Sequence, residues 1–366
     1  GVLVGGMGEL ECVCIDRCRG EHSQAGRVGP ALADAQEDAI GVIDGIPVAG
    51  AGGGIVVQRH ADVRRHIQRA AGGIEQVTNV VLNTATLAGR DDLPVAAGAW
   101  RPIVGNSKED MEAPVHFEKQ LKDRFGERLK KFNPPAPTPV RKAMDKHAVD
   151  FIIETVRANP GEISIVATGP QTNVAMALDM APDIASLVKQ IVVLGGCFTT
   201  PGNITPVSEY NIWADPEAAR VVLRSGAPVV LVPLDICEDN RVAPSMLTRD
   251  DLADLAADYP DSKVVNHIVE NFPIYIDIWR EFFHLVGFPL DDAIAVAAVT
   301  HPEFFEMTEP LFVDVALHER LVRGQTVAFT GRQILSFEGP KTTRICKGLD
   351  GRSFLKLFKN SIGTLA

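Results

Sequence analysis

Residues 162–173 read EISIVATGPQTN, residues 190–196 read QIVVLGG and residues 228–235 read PVVLVPLD. After its first residue each runs through four or five mostly apolar, largely β-branched residues and meets a Gly or Pro turn. Short continuous apolar runs of this kind are strands buried on both faces. Helical patterns at Asn173–Met180 and Pro216–Ser225 stand between them. Strand, helix, strand, helix, strand predicts parallel right-handed crossovers. In such a sheet the functional crevice lies beyond the carboxyl ends of the strands. Thr168, Gly195, Gly196 and Asp235 are therefore expected around one crevice.

Outward from this block the alternation continues. Helices are predicted at Ile74–Ala88, His147–Ala158, Asp250–Asp258, Val264–Asn271, Ile276–Val286, Asp292–Val299 and Ser353–Phe358, with a helical excursion over Asn106–Phe132. Leu93–Ala97 reads as a buried strand. Asn133–Pro139 carries four prolines and reads as a connector. Phe312–Val315, Thr326–Phe329 and Thr343–Cys346 read as strands of a closing antiparallel element. Trp279, Phe282 and Phe283, at helical spacing, read as core, with base stacking as the functional alternative. His116 and His147 sit on helical, partly polar stretches and read as non-catalytic.

Composition bounds what this chain can do. It has 366 residues, 46% hydrophobic and 23% charged, and a net charge of −11. An acidic chain lacks the positive footprint that nucleic-acid binding needs. The longest apolar candidate, Gly45–Val57, is glycine-rich and shorter than the ~18 residues that suggest a membrane span. No basic start followed by an apolar run opens the chain. Six cysteines, three of them scattered, fit reduced thiols and a cytoplasmic location. The expected partner is a small molecule, with neither nucleic acid nor membrane.

Residues 1–73 differ from the rest. They contain no Lys, Asn, Thr, Phe, Tyr or Trp, yet hold 15 of the 32 glycines. Such a segment has few large groups to anchor a core and a high entropic cost of ordering. Two readings stay open: an atypical, partly ordered or disordered extension, and GC-rich DNA read in a shifted frame. Gly41–Val48 and Gly54–Val57 are candidate short strands, and Asp62–Ala71 a turn or two of helix. Cys12, Cys14, Cys18 and His22 have zinc-ligand chemistry, but lack the paired spacing of a zinc ribbon.

The polar stretch from Gly202 to Asn211 offers Asn203, Glu209 and Asn211, the amide and carboxylate groups that bind sugar hydroxyls. From spacing alone a polar surface loop is the competing reading, with Asp215-Pro216 opening the next helix. A dinucleotide site is disfavoured, because Gly195-Gly196 lacks the G-x-G-x-x-G pattern.

An ordered series of motifs decides between these readings. Gly169-Pro170-Gln171-Thr172-Asn173, Val193-Leu194-Gly195-Gly196, Pro201-Gly202-Asn203, Glu209-Tyr210-Asn211, Asp215-Pro216-Glu217-Ala218 and Val232-Pro233-Leu234-Asp235 follow one another over about 70 residues. Leu87-Ala88-Gly89-Arg90, His147-Ala148-Val149-Asp150, Leu290-Asp291-Asp292-Ala293 and Arg323-Gly324-Gln325-Thr326-Val327 extend it. The series resembles the inosine–uridine preferring nucleoside hydrolase family, from about Ile74 to the C-terminus.

The resemblance implies a single large α/β domain over residues 74–366, Rossmann-like, with a mainly parallel sheet flanked by helices. It implies hydrolysis of the N-glycosidic bond of ribonucleosides, with calcium holding and activating a water. It also implies a homo-oligomer. By position, Thr168 would give calcium its backbone carbonyl and Asp292 a carboxylate. Asn203, Glu209 and Asn211 would grip the ribose, and Leu194 would line it where relatives often carry methionine.

Two departures accompany the resemblance. The family opens with an aspartate cluster, D-x-D-x-x-x-D-D, that supplies calcium ligands and the general base. Residues 1–73 contain no D-x-D; Glu37-Asp38-Ala39 is the nearest look-alike, and Ala33 stands where the base belongs. Asp291 stands where many members carry the histidine that protonates the leaving base, which makes it a weak catalytic candidate needing a raised pKa. The expectation is impaired hydrolysis, the alternative being a non-catalytic nucleoside- or ribose-binding protein or an inactive gene product.

Overall fold

The computed structural model describes residues 73–105, 112–131, 137–331 and 338–365, together with the backbone of four short strands between residues 11 and 58. These four are β1 (Glu11–Arg17), β2 (Val42–Ile43), β3 (Ile46–Pro47) and β4 (Ile55–Gln58). They are followed by β5 (Val95–Ala97), β6 (Ile163–Ala167), β7 (Gln190–Leu194) and β8 (Val229–Val232). Last come β9 (Phe305–Met307), β10 (Phe312–Val315), β11 (Thr326–Phe329) and β12 (Thr343–Leu349).

An eight-stranded sheet in the order β5-β4-β1-β6-β7-β8-β12-β9 forms the centre. β6, β7 and β8 pair in parallel, with Val166 opposite Val192 and Val192 opposite Val230. All five residues of β6 and all four of β8 are buried, as expected of strands covered on both faces. Alternate residues feed two separate cores. Val166, Val192, Val230 and Val232 face one, with helices Lys263–Asn271, Pro273–Phe282 and Asp291–Thr300. Ile165, Ile191, Val193 and Leu231 face the other, with helices Ala148–Ala158, Thr172–Met180 and Pro216–Arg224. The architecture is the expected α/β sandwich around a mainly parallel sheet.

Three elements differ from the sequence reading. Thr343–Leu349 does not join an antiparallel closing element: it extends the central sheet, parallel to β8, with β9 antiparallel on its outer side. Of the three strands expected there, β10 and β11 alone form the antiparallel pair. Thr343 and Ile345 are buried, so two-sided cover rather than periodicity places this strand. The segment after Ser208, read as loop, contains a short helix, Tyr210–Ala214, because the Glu209 side chain caps it.

The third difference is β1, for which no strand was expected. It lies between β4 and β6 and runs antiparallel to both, with Val13 opposite Ala167 and Cys12 opposite Val57. The expected strands near Gly41–Val48 and Gly54–Val57 correspond to the β2–β3 pair and to β4, which is parallel to β5. Cys12 and Cys14 fall in β1; Cys18 and His22, the look-alike at Glu37-Asp38-Ala39, and the helix expected over Asp62–Ala71 lie outside the described residues. Among the described residues no helix is long and apolar enough to cross a membrane.

Candidate functional site

The carboxyl ends of β6 and β7 are joined by one side chain. Asn211 donates from Nδ2 to the carbonyl of Thr168 at 3.1 Å and to that of Leu194 at 3.2 Å. Its position comes from Glu209, whose carboxylate accepts from the N–H groups of Asn211 (2.7 Å) and Ile212 (3.0 Å). The same carboxylate accepts from the Gly196 N–H at 3.1 Å. Gly196 has φ +87°, a conformation open to glycine, and a Cβ there would meet Thr326 at 3.0 Å. The chain therefore turns sharply after β7 and brings its amide onto Glu209. Glu209 is 4% exposed, and burial pushes its carboxyl up to about 7 despite the three N–H donors.

Asn203 is fixed at both ends of its amide. Oδ1 accepts from the Tyr210 N–H at 2.9 Å, and Nδ2 lies 3.3 Å from each carboxyl oxygen of Glu238. The loop leading to Asn203 is held by Asp235 at the end of β8. Asp235 accepts from the N–H groups of Phe198 (2.9 Å), Thr199 (2.6 Å) and Thr200 (3.2 Å), and from the Thr199 hydroxyl (2.5 Å). Asp239 takes the Thr200 hydroxyl at 2.9 Å. Hydrogen bonds through Asn211, Glu209 and Asp235 thus tie the strand ends at Thr168, Leu194 and Gly196 to the loop over residues 198–200.

Acidic groups cluster at these strand ends. Burial raises the Glu238 carboxyl above its usual range, while Asn203, Trp279 and Asp291 act on it in the opposite sense. The thiol of Cys237 is driven upward first by burial, then by the charges of Asp291 and Glu238. Cys197 is pushed up to about 12 by burial and by Glu209 and Asp235. Asp291 and Asp292 open helix Asp291–Thr300, and Asp292 is 8% exposed. Glu209, Glu238, Asp291 and Asp292 are thus close enough to act on one another or on the same thiol.

Sequence reasoning did not single out Glu238. It carries no motif, and only the fold brings it to Asn203. Trp279 is core, stacked on Phe283 with centroids 5.0 Å apart, and it helps hold the Glu238 carboxyl down against burial. His147 caps helix Ala148–Ala158, accepting from the Val149 N–H at 3.3 Å.

The calcium expectation meets a short donor set. Thr168 offers its carbonyl, already receiving the Asn211 amide, and Asp292 offers one carboxylate. Among the described residues no group of three or more His, Cys, Asp or Glu side chains is arranged to hold a metal ion. Calcium takes about six to eight oxygens, so the described residues do not by themselves make its site.

The family model for inosine-uridine preferring nucleoside hydrolases matches residues 69–356. The chain belongs to this family. Among relatives, a Schizosaccharomyces pombe protein is 40% identical over 182 residues, 48% of this chain and 53% of the relative, so the aligned stretch spans about half of that protein. The probable uridine nucleosidase 2 of Arabidopsis thaliana is 33% identical over 63% of this chain and 67% of the relative. The pyrimidine-specific ribonucleoside hydrolase RihA of Escherichia coli is 34% identical, covering 69% and 75%. Among solved structures, the purine-preferring ribonucleoside hydrolase of Gardnerella vaginalis superposes with a TM-score of 0.66 at 29% identity, over 80% of this chain and 87% of that one. The family match begins at residue 69, where the composition of the chain changes, so β1 to β4 lie outside it.

Proposed function

We propose that this chain carries the ribose-binding half of a nucleoside hydrolase site and hydrolyses the N-glycosidic bond of ribonucleosides slowly or not at all as written. The observation that carries this is the pairing of an assembled Asn203–Glu209–Asn211 cluster with an opening strand, β1, that runs antiparallel to β6 and has no D-x-D. Residues 74–366 are the nucleoside hydrolase-like domain, and 1–73 stand in place of the family's opening strand.

In this reading Asn203, Glu209 and Asn211 take the ribose hydroxyls. Asn211, already committed to two carbonyls through Nδ2, has its Oδ1 to offer as acceptor. As the base leaves, positive oxocarbenium character builds on the ribose, and the surrounding carboxylates stabilise it. Asp291 is the residue on the leaving-base side. A calcium ion, where bound, would supply an activated water, but it needs oxygen donors beyond Thr168 and Asp292. General-base help is worth about 10²–10⁴-fold, and its carboxylate is missing from residues 1–73. The free, buried thiols of Cys197, Cys237 and Cys346 support a reducing, cytoplasmic setting.

The second reading, a nucleoside- or ribose-binding protein without turnover, is favoured by the same antiparallel β1. Calorimetry with inosine, uridine and ribose, beside a reducing-sugar assay with added calcium, separates the two. Binding with slow turnover supports the first, binding without turnover the second. No binding to any of the three contradicts both.

A further inference from the structure

We propose that the outer groove between helices Thr172–Met180 and Pro216–Arg224 is the surface on which a second copy of this chain docks, about a two-fold axis running along the groove. The inference goes beyond the nucleoside reading and stands or falls independently of it.

The groove has a volume of about 560 Å³, with Leu178, Pro182, Val221 and Leu317 among its apolar lining. Helix Pro216–Arg224 turns Ala218, Ala219, Val222 and Leu223 into the core. That leaves Arg220, Val221 and Arg224, at helical spacing, along the groove. At the end of the other helix, Met180 is 63% exposed, next in sequence to the lining residue Asp179.

The two walls carry opposite surplus charge. Arg220 and Arg224 share one carboxylate, that of Asp314, with Arg220 Nε 3.0 Å from Oδ1 and Arg224 Nη2 2.5 Å from Oδ2. Two guanidinium groups on one carboxylate leave a net positive charge and unused N–H donors on this wall. Glu217, one turn earlier, does not offset it, because Arg323 already holds it at 2.8 Å. Across the groove Asp179 is exposed and takes part in no ion pair among the described residues.

Topology sets how a second copy meets these charges. The helices follow the parallel strands β6 and β7 and cover the same face of the sheet. Both therefore run back against the strands, and Asp179 and Arg224 lie at the same end of the groove, on opposite walls. That end is the one away from the carboxyl ends of the strands. A two-fold axis along the groove lays the Asp179 wall of one copy on the arginine wall of the other, and the contact occurs twice. A small anion would match the arginines alone and would meet the charge of Asp179. A second copy matches both walls.

The test is sedimentation velocity on the full chain, for the natural sequence, Asp179→Arg, Arg224→Asp and an equal mixture of the two variants. Circular dichroism establishes that each is folded, and Arg220→Asp takes the place of Arg224→Asp if the latter does not fold. The natural chain is expected to sediment as a dimer or a multiple of dimers. Each variant alone sets like charges across the axis and should associate at least about tenfold more weakly. In the mixture, a pair of unlike chains carries opposite charges at both contacts, so association should recover. Folded variants that associate as the natural chain does, or a mixture that associates no better than either variant alone, would overturn the inference. A monomeric natural chain would also overturn it and leave the groove to a different protein. Nucleoside binding, read separately by calorimetry, is unaffected by any of these outcomes.

Discussion

The side-chain amide of Asn211 spans the ends of two neighbouring strands, donating to the Thr168 carbonyl at 3.1 Å and the Leu194 carbonyl at 3.2 Å. Two strand ends and a sugar-binding candidate thus share one residue. Asn211→Ala leaves both carbonyls without this donor and should destabilise the fold by about 1–3 kcal/mol, read by urea denaturation. Asn211→Asp places a carboxylate against two carbonyl oxygens and should cost more. Equal stability of Asn211→Asp and the natural chain would show that the bridge holds nothing.

Asp235 gathers four donors from residues 198–200. Asp235→Ala removes them all and frees the loop that leads to Asn203. Ribose affinity should drop at least tenfold by calorimetry, while helix content is retained. Unchanged affinity would detach this loop from the site.

Much of this arrangement was legible from residues alone. β7 and the β10–β11 pair fall where the apolar runs end, because Gly and Pro punctuate them. The place of Thr168, Gly195, Gly196 and Asp235 just beyond strand ends followed from the apolar runs. Helix Tyr210–Ala214 was hidden, since it has one turn and depends on a side-chain cap. The place of β12 was hidden too, because a short apolar strand reads the same at a sheet edge and at its centre. Glu238 could not be found at all: it is 35 residues from Asn203, and nothing in its neighbours marks it. β1 was missed because Glu11–Arg17 is neither clearly alternating nor continuously apolar.

Glu209 predicts a pH dependence of stability. Its folded carboxyl sits at about 7, against 4.5 for the free group, because burial penalises the charge. The unfolded chain binds fewer protons than the folded chain between these values. Stability from this group is therefore fullest below about pH 4.5 and is lost as pH rises through 7. The melting temperature should fall between pH 5 and pH 8, and Glu209→Gln should flatten that fall. A melting temperature that rises across this window by the same amount in both proteins would refute the assignment.

Gly98 marks the join between β5 and the start of helix Thr172–Met180. Asn173 Oδ1 accepts from the Ala99 N–H at 2.9 Å, and a Cβ at residue 98 would lie 2.3 Å from that same oxygen. Gly98→Ala should displace Asn173 and destabilise by about 1–3 kcal/mol, as overpacking does. A neutral Gly98→Ala, measured by denaturant midpoint, would mean that this approach is loose.

The central claim is that the sugar-binding half of the site is present and the opening aspartates are not. Its most direct test is the turnover of inosine and uridine with calcium, by reducing-sugar assay, for the natural chain and for a chimera carrying a D-x-D-x-x-x-D-D strand ahead of Ile74. The account predicts turnover at least about 100-fold below an ordinary enzyme's roughly 10 s⁻¹ for the natural chain, and a gain of about 10²-fold or more in the chimera. Turnover by the natural chain within tenfold of that ordinary value, with no gain in the chimera, would contradict it.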